Sequence, residues 1–439
     1  MDLLRREAYN IIYKVLKDHH HSDRLLEQKV KKLNDQDRNF LFYLVKGTIK
    51  MHHNLDYLAS TLTDREKYQH TNLKIKSLLY LGLYQIIYCG SVPDHSAVDE
   101  TVELAKNLFD SRVADFINAL LRNYLRHPEI EYPAELVQRL SLKYSFPLEL
   151  INKWLEYWGE EETEELCIYF NRNPKLALRI NVMATNRERF KKYFARKGWN
   201  LEESGASPNT FLTEYGQGIL NDVSFEEGYF SIQDPSSAMI VELLDPQEDE
   251  NILDLFAGPG GKCTYISELM NNTGEVVAVD KFPQKSKKIK KAVHRLQVNN
   301  MIIVTEDALK FGPRAPAYDR VILDVPCSGW GVLQKKAELR WQFNQDMKSL
   351  LKLQENALDN GAQFVKEGGY LVYSTCTMNI AENEEQVERF LSKNKNFELI
   401  KNPQIISQKF LQNGFLKTLP HRDKIDGVFA AKMHKRGKN

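Results

Sequence analysis

The stretch "DLFAGPGGKCT" (254–264) decides how the chain is read. It follows a short apolar run and opens a helical pattern. Its glycines, Gly258, Gly260 and Gly261, let backbone approach a ligand closely and leave N–H groups free at a helix start. The spacing is neither that of a P-loop nor that of a G-x-G-x-x-G dinucleotide fingerprint. Working outward, the same rhythm recurs: "NILDLFAG" (251–258), "EVVAVD" (275–280), "MIIVTED" (301–307), "YDRVILDVP" (318–326) and "GGYLVYSTC" (368–376) alternate with helical segments. Near-continuous apolar runs of this length mark parallel strands buried on both faces. The expectation is a doubly wound, Rossmann-like α/β domain whose ligand lies at the carboxyl ends of the strands.

The strand ends carry acids. Asp280 closes the second strand, 22 residues after Gly258, where a carboxylate suits two ribose hydroxyls. Asp307 follows the third strand and Asp324 ends the fourth. Each alone reads equally well as a turn or capping residue. In sequence they outline an adenosine pocket with no triphosphate site, which favours S-adenosylmethionine over ATP or NAD.

Two thiols follow two of these strands, Cys327 in "LDVPCSGWG" (323–331) and Cys376 in "STCTMN" (374–379). A lone cysteine after a strand is usually a small buried apolar residue. Two of five cysteines at strand ends of one such sheet point to chemistry. A thiol does nothing for methylation of an amine, but it activates a carbon that is not itself nucleophilic. Cytosine C5 is such a carbon: a thiolate added to C6 leaves an enamine-like ring that attacks a methyl donor at C5. One cysteine suffices for attack and a second can assist release. The attacking thiol needs a nearby cation, and Lys262 is the candidate in the loop.

The remainder of the 439 residues exceeds one core. Residues 1–126 carry apolar side chains at three- and four-residue spacing, as in "LLRREAYNIIYKVL" and "IKSLLYLGLYQIIY", and read as helices. "RHPEIEYPAE" (126–135) reads as a linker. Helices are expected at 135–144 and 147–170, then a βαβ-like segment around the basic helix "NRERFKKYFARKG". Net charge is +1, but basic residues gather at 172–197 and at 281–300, where seven occur without an acid. Either run is a solvated helix face or a surface for nucleic acid. No apolar run is long enough for a membrane span, and the charged N-terminal stretch has no signal-peptide core, so a cytoplasmic protein with reduced cysteines is expected. No cluster of His, Cys and acids has ligand spacing, so no metal is expected.

The quoted loop, "DVPCSGWGVLQKKAELRW", "GGYLVYSTCTMNIAENEEQVERFL" and "DGVFAAK" (426–432) resemble the RNA cytosine-C5 methyltransferases. "VPDHSAVDETVELAK" and "FINALLRNYLR" resemble the NusB-like domain fused to members of that family that act on small-subunit (16S) ribosomal RNA. The resemblance implies three parts: an all-α NusB-like RNA-binding domain (1–130), linker helices with a small α+β, RRM-like, RNA-binding subdomain (131–229), and a Rossmann-like catalytic domain (230–439). It implies Cys376 as nucleophile and Cys327 as the thiol assisting product release. It implies S-adenosylmethionine held by Phe256, Ala257, Gly258, Pro259, Gly260, Gly261 and Lys262, with Asp280 on the ribose, Asp307 by the adenine and Asp324 near the methyl and the target base. The expected partner is small-subunit ribosomal RNA, bound by a monomer. The same chemistry on tRNA or another ribosomal RNA site is the alternative. A DNA cytosine-C5 methyltransferase would use Cys327 as nucleophile, and "STCT" argues against it. A non-catalytic RNA-binding or antitermination factor would not need both thiols. "QDPSS" (233–237) reads as a helix start, with Asp234 as N-cap and Pro235 at the first helical position.

Overall fold

A computed structural model describes residues 3–18, 20–30, 33–214, 218–312, 318–342 and 346–437. The chain divides into two compact units.

The first unit holds the residues before Pro174 and a later segment, 333–342. Its helices include Leu3–Asp18, Asp35–Thr61, Leu73–Tyr88, Asp94–Leu108, Ser111–Arg126, Leu136–Tyr144 and Leu148–Asn171. The expected periodicity is realised: Ala8, Ile11, Ile12 and Val15 form the buried stripe of the first. They join Leu44, Ile49, Leu78, Leu83, Leu120 and Leu121 in one core. The expected linker is irregular through 127–135, and Glu135 caps the next helix by accepting from the Val137 and Gln138 amides. The later segment is built into this unit by polar groups. Fully buried Arg340 donates to the carbonyls of Ser145 and Phe170 and to Asn171 Oδ1, and its guanidinium lies 3.9 Å from the Phe146 ring centre. Glu338 accepts from the amide and hydroxyl of Ser22 at 3.2 and 3.1 Å.

The second unit carries two sheets. The smaller is formed by β1 (Leu176–Ile180), β2 (Glu202–Glu203), β3 (Thr210–Thr213) and β4 (Phe230–Ile232), in the order β2-β3-β1-β4. The helix Arg187–Arg196 packs Phe190 and Phe194 onto Leu178, Phe211 and Phe230. Its α+β character follows the expectation, but the strands flanking the helix are antiparallel neighbours, not the parallel pair of a βαβ crossover. Strand β2 and the turn through Gly205, at φ 66°, reverse the chain before β3 is laid down.

The larger sheet contains β5 (Asn251–Asp254), β6 (Glu275–Val279), β7 (Met301–Val304), β8 (Tyr318–Asp324) and β9 (Val365–Thr375), which pair in parallel in the order β7-β6-β5-β8-β9. The chain builds outward from β5 to β7, then restarts on its other side with β8. The switch point therefore lies between β5 and β8, and in open α/β sheets ligands bind outside the carboxyl ends of the strands at that point. Successive residues serve opposite layers. Leu253, Leu323, Leu371 and Tyr373 pack with Ala357 and Leu358 on one face. Ile252, Ile322 and Val372 pack with Met239, Leu243 and Ile266 on the other. Both faces are buried, which is why the strand sequences are apolar without alternation. Asp234 caps the helix Pro235–Leu244, with Pro235 at its first position, as read from the sequence.

The sheet continues beyond the expected strands. Strand β10 (Phe397–Leu399) pairs with β13 (Phe429–Lys435), β11 (Leu411–Gln412) with β12 (Phe415–Lys417), and β13 runs antiparallel to β9 from Phe429/Thr375 to His434/Tyr370. Strand β13 reads "FAAKMHK", poor in β-branched residues, so propensity did not announce it.

Arg179 on β1 is fully buried and paired with Glu268 of the helix Gly261–Leu269, while its Nε donates to Gln233 at 2.5 Å. Removing one member of such a pair strands a charge in the interior. Arg179→Met should destabilise the chain by about 3–5 kcal/mol in urea unfolding. Arg179→Met with Glu268→Leu should recover most of that loss. Equal destabilisation of single and double variants would show that packing of the arginine stem, not the pair, matters.

Candidate active site

The site is assembled where β5, β6, β8 and β9 end. After β5 the chain turns through 255–260, and the helix Gly261–Leu269 starts after Gly260 without a side-chain cap. The turn is drawn against β6. Asp280, which follows β6 and is 5% exposed, accepts from the Gly258 amide at 3.1 Å and from the Phe282 amide at 2.9 Å, and pairs with Lys285 at 3.3 Å. A Cβ on Gly258 would stand 2.5 Å from Asp280 Oδ2, so no larger residue fits. Phe256 is partly buried against the sheet core, Ala257 is buried and donates its amide to Val279, Gly260 takes φ 116°, and Pro259 is exposed. Asp307 lies further along, accepting from the Leu309 amide and paired with Lys281 at 2.9 Å. The Lys281 hydrogen bond holds its carboxyl below the usual range.

Lys262, on the first turn of the helix, reaches across the switch point to Asp324 at the end of β8, 2.7 Å away. The other Asp324 oxygen accepts from Ser374 Oγ at 3.0 Å. Burial alone would pull the Lys262 ammonium down. Its pairing with Asp324, supported by Asp254 and Cys376, outweighs that and raises it.

The two thiols meet. Cys327 Sγ and Cys376 Sγ are 3.2 Å apart, and the Cys376 amide points to Cys327 Sγ at 3.3 Å. Behind them the Gly331 amide donates to the Cys376 carbonyl, and the Gly427 amide donates to the Gly331 carbonyl. A Cβ on Gly331 would stand 1.8 Å from the Gly427 carbonyl oxygen, so this crossing excludes any side chain. The hydrogen bond to Cys376, then burial and the charges of Cys376 and Glu382, push the Cys327 thiol well above its usual range. The remaining cysteines, Cys89, Cys167 and Cys263, are buried, and burial raises each of them. Of the five cysteines only the facing pair is partly exposed, and so within reach of a substrate.

The structure thus joins Lys262, Asp324, Cys327 and Cys376 in one cluster, holds the 256–261 turn beside Asp280, and sets Asp307 apart with Lys281. Asp254 belongs to the cluster and was not singled out by sequence. It ends β5 as Asp324 ends β8, so the signal used for the other aspartates was available for it. Burial, then the Asp324 charge, raise its carboxyl to about 7 against the pull of Lys262. Its Oδ1 accepts from the Phe256 amide, and its Oδ2 is buried without a partner.

These residues fit S-adenosylmethionine. An orphaned buried carboxylate oxygen, an uncapped helix start and carboxylates at the ends of β5, β6 and β8 suit a ligand that carries both a cationic sulfonium and polar hydroxyl, amino and carboxylate groups.

The basic stretch 281–300 is partly absorbed by the protein. Arg295 turns inward, donating to the carbonyls of Phe225 and Phe230 at 2.7 and 2.8 Å. Lys287, Lys288, Lys290 and Lys291 remain exposed on the helix Pro283–Arg295.

The raised Asp254 sets a pH dependence. An unfolded aspartate titrates at about 3.9, so the folded form binds the proton more tightly. That contribution is complete below about pH 4 and is lost as pH rises through about 7. Asp254→Asn should become progressively more stable than the parent across this window, by at most about 1.4 kcal/mol per pH unit, and level off above it. Urea midpoints of both proteins from pH 4 to 8 check this, and a pH-independent difference would contradict it.

Residues 241–434 match the family model described as 16S rRNA methyltransferase RsmB/F, residues 3–126 match the NusB family, and residues 146–215 match the RsmF/B-like ferredoxin-like domain. The probable ribosomal RNA small subunit methyltransferase B of Bacillus subtilis is 34% identical over 99% of both chains. That of Synechocystis is 35% identical over 98% of this chain and 99% of its own. The crystal structure of a methyltransferase homolog protein from Pyrococcus horikoshii superposes with a TM-score of 0.60 at 26% identity, covering 69% of this chain and all of that one. With likeness along its whole length and a loop that fits the cofactor, the chain belongs to the ribosomal RNA small subunit methyltransferase B family of S-adenosylmethionine-dependent RNA methyltransferases.

Proposed function

We propose that the protein methylates C5 of a cytosine in small-subunit ribosomal RNA through a covalent adduct between Cys376 and C6 of the base. The observation that carries this reading is the pair of thiols 3.2 Å apart beside a lysine only 14% exposed. The names of the full-length relatives, small-subunit ribosomal RNA methyltransferases, support the substrate.

S-adenosylmethionine supplies a sulfonium-activated methyl group when bound. The turn from Phe256 to Lys262 would hold it, with Asp280 on the ribose hydroxyls, Asp307 towards the adenine and Asp324 by the methyl. Lys262 favours the anionic form of the neighbouring Cys376. The Cys376 thiolate adds to C6, and the C5=C6 electron pair becomes available at C5, which would take the methyl as its bond to the sulfonium breaks and the pair stays on that sulfur as a neutral thioether. Asp324 is then assigned the C5 proton. The C5–H pair restores the double bond, the C6–S bond breaks, and its electrons return to Cys376. Cys327, kept as a thiol, donates a hydrogen bond to the departing thiolate. The target base must leave its stack to expose both faces. Lys287, Lys288, Lys290 and Lys291 and the basic helix Arg187–Arg196 are assigned to phosphate contacts. The protein acts as a cytoplasmic monomer in this reading.

Incubation with labelled S-adenosylmethionine and small-subunit ribosomal RNA, followed by a denaturing gel, tests the assignment. Wild type should methylate without lasting adduct. Cys376→Ala should lose both methylation and adduct, and Cys327→Ala should retain RNA on the protein. The reverse pattern would make Cys327 the nucleophile. Methyl transfer to tRNA but not to this RNA would overturn the substrate.

A further inference from the structure

A buried carboxylate beneath the two thiols takes no part in the chemistry above. Glu382 is 0% exposed and accepts four hydrogen bonds from neutral donors: the Ser328 amide at 2.9 Å, Ser328 Oγ at 2.5 Å, Gln354 Nε2 at 2.9 Å and Asn379 Nδ2 at 3.0 Å. Its backbone carbonyl accepts from Tyr373 Oη at 2.6 Å. Burying an anion on dipoles alone is costly, and the cost is met only when every lone pair is claimed.

What the carboxylate grips is informative. Ser328 follows Cys327, and Gln354 also donates to the carbonyl of Pro326, which precedes it, at 3.0 Å. Both neighbours of Cys327 are thus fixed by one buried network. Ser328 Oγ lies 2.7 Å from Oγ1 of Thr377, the residue after Cys376. An ionised carboxylate only accepts, so Ser328 donates to Glu382, Thr377 donates to Ser328, and the Asn379 amide donates to Thr377 at 3.3 Å. The charge on Glu382 gives this chain one direction and ties the two cysteine loops together. Nearby, Asn383 accepts from Thr375 Oγ1 at 2.6 Å and donates to the Thr377 carbonyl at 3.0 Å, bracing the Cys376 side separately.

We propose that Glu382 is the positioning residue of the release step, its carboxylate holding the Pro326–Ser328 loop so that the Cys327 thiol stays against the Cys376 sulfur. The inference rests on the proposed roles of the two thiols. In release the C5 proton leaves to a base, the C5–H pair reforms C5=C6, and the C6–S pair returns to Cys376. The developing thiolate needs a donor at its side, and Cys327 supplies it only if its loop is fixed. The negative charge of Glu382 also favours the protonated form of Cys327, after the larger effects of the Cys376 hydrogen bond and burial.

Glu382→Gln keeps shape and removes the charge, and it turns an amide donor towards donors. The full-length variant is compared with wild type, Cys327→Ala, Ser328→Ala and the Glu382→Gln/Cys327→Ala pair on small-subunit ribosomal RNA. Turnover, retained adduct on denaturing gels and S-adenosylmethionine affinity by calorimetry are measured. Glu382→Gln should lose about 10–100-fold in kcat, as expected for a misplaced group. It should keep its cofactor affinity and retain RNA as Cys327→Ala does, and the double variant should be no slower than Cys327→Ala. Ser328→Ala should show the same pattern more weakly. Wild-type turnover, or slow turnover without retained RNA while Cys327→Ala retains it, would overturn the role of Glu382. If Glu382→Gln no longer binds the cofactor, Ser328→Ala decides by the same criteria. No retained RNA in Cys327→Ala would overturn the thiol assignment first, and this inference with it.

Discussion

The parallel pairing of β8 with β9 is the constraint on which the site depends. Its register sets Asp324 opposite Ser374, and a hydrogen bond between their side chains closes the ladder. From that rung Cys327 lies three residues on and Cys376 two, so two short turns of fixed length bring their sulfurs together. A slip of one residue would turn every side chain of a strand to the other face. Leu323 and Tyr373 would then leave one buried layer and Ile322 and Val372 the other. Because both faces are packed, the cost of such a slip falls on the whole core, and the core thereby fixes the distance between the thiols.

Around this register the charges are settled in different ways. Asp280 is satisfied by backbone amides with Lys285 beside it, Asp324 by Lys262, and Glu382 by neutral donors. Asp254 is left over: Lys262 is committed to Asp324, and the aspartate holds a proton to about pH 7 instead. The same cation that balances Asp324 stands near Cys376, while Cys327 faces Cys376 over a buried carboxylate. Two chemically identical side chains are thus given unlike surroundings, Cys376 near the lysine and Cys327 near the glutamate.

Much of this was legible in the chain itself. Strands buried on both faces announce themselves as unbroken apolar runs, and the acids and thiols that follow them mark the carboxyl edge of the sheet. Helical spacing in the first 126 residues is equally plain. What escaped notice depends on distant partners. Arg179 and Arg295 sit in runs read as possible nucleic-acid surfaces, yet both are turned inward by groups tens of residues away. Strand β13 is placed by β9, not by its own propensity. Residues 333–342 carry the family motif, but Arg340 finds its acceptors among carbonyls more than 150 positions earlier. Glu382 was not singled out, because only Ser328, 54 residues before it, closes its network.

The central claim is that Cys376 bonds to the base, and the most direct measurement locates that bond. Small-subunit ribosomal RNA containing 5-fluorocytosine has no C5 proton to lose, so release stops at the adduct. The wild-type protein is incubated with this RNA and S-adenosylmethionine, digested, and the cross-linked peptide identified by mass spectrometry. The account predicts a methylated fluoropyrimidine on the peptide containing Cys376. The same nucleotide on the peptide containing Cys327 would contradict it.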